Sequence, residues 1–308
     1  MAVDDRGSVL DERRVPTPRS DDDLVEVVGA LVAALEGGPA APGAGGGRAT
    51  AGRTPVGVGA AGLVDRRGVL RFGPNLPGIV ELALLDRLRS GPLRGRPVRV
   101  DNDATCAAFA ETEIGAAAGC ADVLMATIGT GIGGGLVTGG RLLRGHHGFA
   151  GEIGHHVVDP SGPPCVCGNR GCWERYASGS GLGWMAREEA LAGRAARLVE
   201  LAGGDPEAVR GEHVSQAAGE GDEPALGIFE RVGWWLALGL ANLATILDPE
   251  LIVIGGGMVE AGPVLLEPAR RAFATLFEGA AHRPAVPLVA ARFGERAGAV
   301  GAALLARA

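Results

Sequence analysis

The chain has 308 residues, 46% hydrophobic and 21% charged, which suits one large domain or two modest ones and excludes wholesale disorder. Its 29 basic residues face 36 acidic ones for a net charge of −7, and no basic tract stands out, which argues against nucleic acid as a main partner. Every basic residue is Arg and Lys is absent, so a Walker A loop and Schiff-base chemistry are excluded; phosphate chemistry here must rest on backbone amides, Arg or a metal.

The elements read in chain order as an α/β protein. A helix is expected from about Asp22 to Glu36, and a strand from about Pro55 to Ala60. Between them, Gly37 to Arg53 is almost all Gly, Ala and Pro, and reads as a flexible connector. PVRVDNDA ends a strand and enters a helix running through Ala104 to Ile114. DVLMATIGTGIGGGLVTGG reads as two strands joined by a Gly-rich turn. A long helix is expected from about Pro224 to Leu247, stopping at Asp248-Pro249 and feeding the buried strand LIVIGGG and a further helix, Val264 to Phe277. No apolar run reaches the ~18 residues of a membrane span, and the charged start MAVDDRGSVLDERRVP does not read as an export signal. A cytoplasmic address with no membrane partner is the expectation.

Four features carry chemistry. The first is Val100-Asp101-Asn102-Asp103-Ala104, polar residues at the mouth of a helix after a Val-rich strand, where α/β proteins place their sites. Seen alone, the segment reads first as a helix cap made by Asp101 or Asp103. The second is Ile128 to Gly135, IGTGIGGG, whose bare backbone can approach a phosphate and aim N–H groups at it. Strand rather than helix follows it, so it is not a Rossmann fingerprint, and a functionless hairpin remains open.

The third feature is His155 with Cys165, Cys167 and Cys172. Three thiolates and one imidazole suit a closed tetrahedral site, hence a structural Zn²⁺ with no position left for water. The adjacent His156 reads as a strand residue, not a ligand. The fourth is the pair Glu152 and Glu174, two or three residues from His155 and Cys172. Held rigid by the metal they would accept hydrogen bonds from a polyol; alone, each could be a surface Glu.

Together these motifs resemble the ROK family of bacterial sugar kinases, which also includes repressors, over nearly the whole chain from about Gly7. GEIGHHVVDPSGPPCVCGNRGCWERYASG (Gly151 to Gly179) is similar to the family signature with its zinc ligands. VDNDATCAAFAE resembles the catalytic segment, IGTGIGGG the second phosphate loop and LIVIGGG the adenosine loop. GVGAAGLVD (Gly57 to Asp65) and PNLPG (Pro74 to Gly78) resemble the segments that close over the sugar. The CWERYASG version and the lengths between motifs look most like the family's glucokinases.

The resemblance implies an actin-like (ribonuclease H-like) kinase fold of two α/β domains. The small domain would be 1–105 plus 296–308, and the large one 106–295. Asp103 would be the general base at the 6-hydroxyl, with Asn102, Glu152, His155, Glu174 and Asn75 holding the sugar. Gly129, Thr130, Gly131, Gly133, Gly134, Gly255, Gly256 and Gly257 would hold ATP, with Mg²⁺ on its phosphates. His155, Cys165, Cys167 and Cys172 would bind the zinc. Glucose is the favoured hexose, with N-acetylmannosamine, N-acetylglucosamine or fructose as alternatives, and a homodimer or homotetramer is implied.

A repressor would need a winged-helix segment ahead of this region, and the sequence begins with the kinase-like part. The family's opening strand and DxGGT-type phosphate turn are not in the sequence, since Met1 to Gly7 already resembles the end of the second strand of that hairpin. The expectation is therefore a start upstream of Met1 and poor turnover by the 308 residues alone; a degenerate sugar-binding protein is the other outcome.

Overall fold

The computed structural model describes residues 1–308 except 5, 19, 38–53, 74, 75 and 77. The expected connector Gly37 to Arg53 thus lies, after Gly37, outside the described residues, as does Asn75. The chain forms two compact units: Met1–Met125, Gly135–Gly151 and Ala291–Ala308 make unit 1, and Ala126–Gly134 with Glu152–Ala290 make unit 2.

Unit 1 opens with an antiparallel pair, β1 (Ala2–Val3) and β2 (Val9–Asp11). Asp4 makes the turn between them, its carboxylate accepting from the backbone N–H of Arg6 at 2.9 Å and of Ser8 at 2.8 Å. Helix α1 (Asp21–Gly37) carries three Asp in its first turn, where the exposed N–H groups favour negative charge. Strands β3 (Val56–Ala60), β4 (Leu63–Val64), β5 (Leu70–Phe72) and β6 (Val80–Leu82) follow, the last three forming an antiparallel sheet. After α2 (Leu84–Ser90), β7 (Val98–Asn102) pairs in parallel with β3, setting Ala60 opposite Asn102. Leu70, Ile79, Leu84, Leu88 and Val98 form the dry core beneath these strands.

Strand β7 runs directly into α3 (Asp103–Ile114), one residue earlier than the sequence suggests. Strands β8 (Val123–Ile128), β9 (Ile132–Thr138) and β10 (Arg141–Leu142) come next, and the boundary of the units passes through β8 and β9. Their IGTG turn is short, as the sequence predicts, with the Gly129 N–H donating to the Gly131 carbonyl at 2.9 Å.

In unit 2 the helices are α4 (Glu174–Ala177), α5 (Gly179–Leu191), α6 (Ala196–Leu201), α7 (Gly211–Gly219) and the long α8 (Glu223–Leu247). Asp222 caps α8 by accepting from Ala225 N–H at 3.0 Å, and Asp248 ends it in the left-handed region at φ 47° before Pro249. The chain enters β11 (Leu251–Gly255), every residue of which is buried, then α9 (Pro263–Leu276) and β12 (Leu288–Ala290), parallel to β11. The strand order in this sheet is β10-β9-β8-β11-β12.

The last helix, α10 (Ala297–Leu305), returns to unit 1 and packs on α3 and β3. Glycines make the approach close: a Cβ on Gly301 would lie 1.7 Å from the Cys106 carbonyl oxygen, and one on Gly57 1.7 Å from that of Ala302. This packing keeps α3 whole within unit 1, so that unit takes in more than the expected 1–105 and 296–308. Among the described residues no helix is long and apolar enough to cross a membrane.

Candidate active site

Unit 1 holds the strand-end segment. Asn102, not Asp101 or Asp103, caps α3: its side-chain oxygen accepts from Thr105 N–H at 3.0 Å. Its amide nitrogen donates to the Gly62 carbonyl at 3.1 Å, which ties the Gly57 to Asp65 segment to the strand end. One N–H and one lone pair of Asn102 remain for a ligand. Asp101 is spent on Arg144, whose Nε donates to it at 2.8 Å, and on Asn102 N–H at 2.9 Å.

Asp103 is left with a different task. One carboxylate oxygen accepts from Ala104 N–H at 2.9 Å and the carboxylate also meets its own backbone N–H, but among the described residues no side chain is shown donating to it. The side chain stays open to solvent, yet surrounding protein desolvates it enough to raise its pKa, against the opposing pull of the Ala104 and Asp103 N–H groups. A carboxylate with no side-chain cation against it and a raised pKa is suited to take a proton.

Unit 2 holds the Cys-rich loop. Ile153–His155 form a single 3₁₀ turn, and two isolated bridges, Val157 with Cys172 and Pro164 with Arg170, fold the loop on itself. His156 therefore sits at the end of that turn and not in a strand. The chain curls there because Gly154 packs on Ile132, where a Cβ would meet the carbonyl oxygen at 2.2 Å. The His156 ring lies against Trp173, 5.3 Å between centroids.

The donor atoms of His155, Cys165, Cys167 and Cys172 all lie within 4.8 Å of one another. Cys165 Sγ is 3.6 Å from His155 Nδ1, and Cys167 Sγ is 3.5 Å from Cys172 Sγ. A tetrahedron with metal bonds of about 2.0–2.3 Å has edges of roughly 3.5–3.8 Å, so the set fits a zinc ion. Burial pushes the Cys165 thiol up to about 11 and raises Cys172 as well, an environment in which a bound cation is what keeps thiolates.

Glu174 stands between this cluster and the Gly-rich turn. Its Oε1 is 3.2 Å from Cys165 Sγ and 3.6 Å from His155 Nδ1, while Oε2 accepts from Ile132 N–H at 3.3 Å. Gly131 makes room for it, since a Cβ there would come within 2.6 Å of that carboxylate. Glu152 precedes the 3₁₀ turn, half-buried.

The two Gly loops of unit 2 meet. Gly256, at φ 84°, lies so close to β8 that a Cβ would be 2.4 Å from the Ile128 carbonyl oxygen. Gly129 and Thr130 are tied down from α5: Gly179 N–H donates to the Gly129 carbonyl at 2.8 Å, and Ser180 Oγ to that of Thr130 at 2.6 Å. Gly133 and Gly134 lie within β9 itself, whereas Gly129 to Gly131 form the turn, and Gly255 closes β11. Arg144 and Ser180 are positioning residues that sequence reasoning missed. Their partners lie 43 and 50 positions away, and no local pattern marks them.

The ROK family model matches residues 1–308. The glucokinase of Streptomyces coelicolor is 38% identical over 308 residues, covering 99% of this chain and 92% of that protein. The N-acetylmannosamine kinase of Escherichia fergusonii is 34% identical over 306 residues, covering 98% of this chain and 91% of that protein. The crystal structure of a ROK family glucokinase from Streptomyces griseus in complex with glucose and AMPPNP superposes with a TM-score of 0.85 at 39% identity, covering 99% of this chain and 94% of that one. With the family signature, the strand-end Asp103 and the Cys3His cluster all in place, the chain belongs to the ROK family.

Proposed function

We propose that this ROK sugar kinase phosphorylates glucose at its 6-hydroxyl using ATP, with Asp103 as the general base. The observation that carries the reading is the division of labour at the strand end. Asn102 takes the cap and Arg144 takes Asp101, which leaves Asp103 as the strand-end carboxylate held by backbone N–H groups and by no side-chain cation among the described residues. An unactivated hydroxyl needs one such base within hydrogen-bond reach. The likeness to glucokinases, one of them solved with glucose and AMPPNP, supports both substrates.

In this mechanism Asp103 accepts the 6-hydroxyl proton as the oxygen attacks the γ-phosphoryl group and the bond to the β–γ bridging oxygen breaks, releasing ADP. Asn102, Glu152, His155 and Glu174 hold the remaining hydroxyls, with Asn75 a further proposed contact. The Gly129-Thr130-Gly131 turn, with Gly133 and Gly134 beside it, and the Gly255, Gly256 and Gly257 segment hold the nucleotide, in keeping with a chain that has no Lys. Mg²⁺ is bound in such sites by one or two carboxylates and the substrate's phosphates, so it is proposed to enter with ATP. Zinc would be held by His155, Cys165, Cys167 and Cys172, a donor set suited to a structural ion, and would supply rigidity, not a reacting oxygen. Glu174, in contact with both Cys165 and the Ile132 amide, then keeps its orientation.

Steady-state kinetics over a sugar panel test the reading, with glucose expected to give a kcat/KM at least about tenfold above the other hexoses. The likeness to an N-acetylmannosamine kinase supports a second reading, and a higher kcat/KM for that sugar would replace the first with it.

A further inference from the structure

Unit 1 contains a cavity of about 530 Å³, within the roughly 300–1,000 Å³ range of small-molecule sites, between the β4–β6 sheet and the 144–149 segment. None of Asn102, Asp103, Glu152, His155 or Glu174 lines it. Its wall carries Arg66, Arg67, Arg71, His146 and His147, with Phe149 stacked on His147 at 6.2 Å between ring centroids.

The charges here are not equivalent. Asp65 is buried and fully engaged: it accepts from Arg67 N–H at 2.8 Å, from Val69 N–H at 3.0 Å, and from Arg71 through Nε at 3.1 Å and Nη2 at 2.7 Å. Arg71 also pairs with Glu81, so one guanidinium is shared by both carboxylates of the cavity. Arg66 is different. Its Nε donates to the Gly145 carbonyl at 2.8 Å, which aims the side chain, and among the described residues it has no carboxylate partner. Its backbone is fixed too, with the Arg66 N–H donating to the His147 carbonyl at 3.1 Å. Arg67 is 75% exposed and reaches Asp65 only at 3.5 Å. An oriented guanidinium fork with both Nη groups uncommitted, a second loosely held one and two imidazoles suit an anion with several acceptor oxygens.

We propose that this cavity binds a small phosphate monoester, the phosphate on the Arg66 fork and the organic part against Phe149 and Leu63. A bare inorganic anion would use only the charged wall. The apolar wall favours the ester, and the cavity volume suits a molecule of hexose phosphate size. The inference stands apart from the kinase reading, because Arg66, Arg67 and Phe149 are not among the proposed sugar contacts and the measurement is made with the sugar site filled.

The test is calorimetric titration of the full chain with glucose 6-phosphate and with inorganic phosphate, glucose being present at saturation to occupy the sugar site. The ester is expected to bind at least about tenfold more tightly than inorganic phosphate, and Arg66→Gln to weaken it about tenfold or more, the scale of one charge-assisted hydrogen bond. Arg67→Gln, at an exposed side chain, gives a second variant that need not disturb the fold and is expected to weaken the ester severalfold. Glucose affinity and turnover remain at wild-type level in both variants. No binding in the presence of glucose, equal affinity for ester and inorganic phosphate, or undiminished binding by both variants would overturn the proposal. Loss of glucose turnover in the wild type would sink the kinase reading and leave this one intact.

Discussion

The strand-end segment of unit 1 and the Cys-rich loop of unit 2 hold their functional side chains by different means. Asp103 follows a strand paired residue by residue with β3, and its helix is capped by Asn102 and packed closely by α10. Backbone hydrogen bonds and close packing fix it. The loop carrying His155, Cys165, Cys167 and Cys172 has one 3₁₀ turn and two isolated bridges, and its side chains face one another as four metal donors. Regular structure positions the first region. The second brings together four side chains that could hold a metal ion.

The sharpest way to separate the two is Asp103→Asn. It is expected to lower kcat by about 10²–10⁴-fold, the usual loss of a general base, with glucose affinity nearly unchanged. A variant that keeps more than about a third of wild-type kcat would remove Asp103 from the chemistry. For the wild type, the raised pKa of Asp103 sets the acid limb: kcat/KM falls as pH drops through a value above the usual carboxylate range, because the protonated form cannot accept.

The loop should respond to metal and the strand end should not. Cys172→Ser, or prolonged chelation, is expected to remove about one zinc per chain and to weaken glucose binding about tenfold or more through Glu174 and His155. Elemental analysis with calorimetry checks both. Zinc-free protein that binds glucose normally would show that regular structure suffices in both regions.

A smaller effect is expected from Asn102→Ala. Loss of the cap should cost about 0.5–2 kcal/mol in denaturant unfolding, with a further loss of sugar affinity if its remaining N–H binds substrate. Smallest is the effect of Asp103→Asn on stability. A carboxylate whose folded pKa is raised destabilises the native state above that pKa, and the penalty disappears as pH falls below the unfolded value. The variant should therefore melt slightly higher than wild type near neutral pH, with the difference vanishing once the carboxyl is protonated in both folded and unfolded states. Equal melting temperatures near neutral pH would mean that the Asp103 site carries no desolvation cost.

Much was legible from the chain alone, because local patterns carry local structure. The run VRVDND marks a strand entering a helix at whatever site it occurs, and the periodic segment before Asp248-Pro249 marks a helix and its stop. The Cys165, Cys167, Cys172 spacing marks a donor set before any coordinates exist, since so few residue types bind zinc. The identity of the cap was not legible. Asp101, Asn102 and Asp103 can all cap a helix, and the choice depends on Arg144 reaching Asp101 from 43 residues away. The same holds for the contact of Glu174 with the Ile132 amide, 42 residues apart, and for Gly256 against Ile128, which are brought together by sheet pairing. Sequence alone therefore determined which residue types stand at each element's end, because φ/ψ preference and hydrophobic period act over a few residues. Which of several equivalent carboxylates stays without a side-chain cation was decided only by the tertiary structure, because that depends on partners supplied by distant segments.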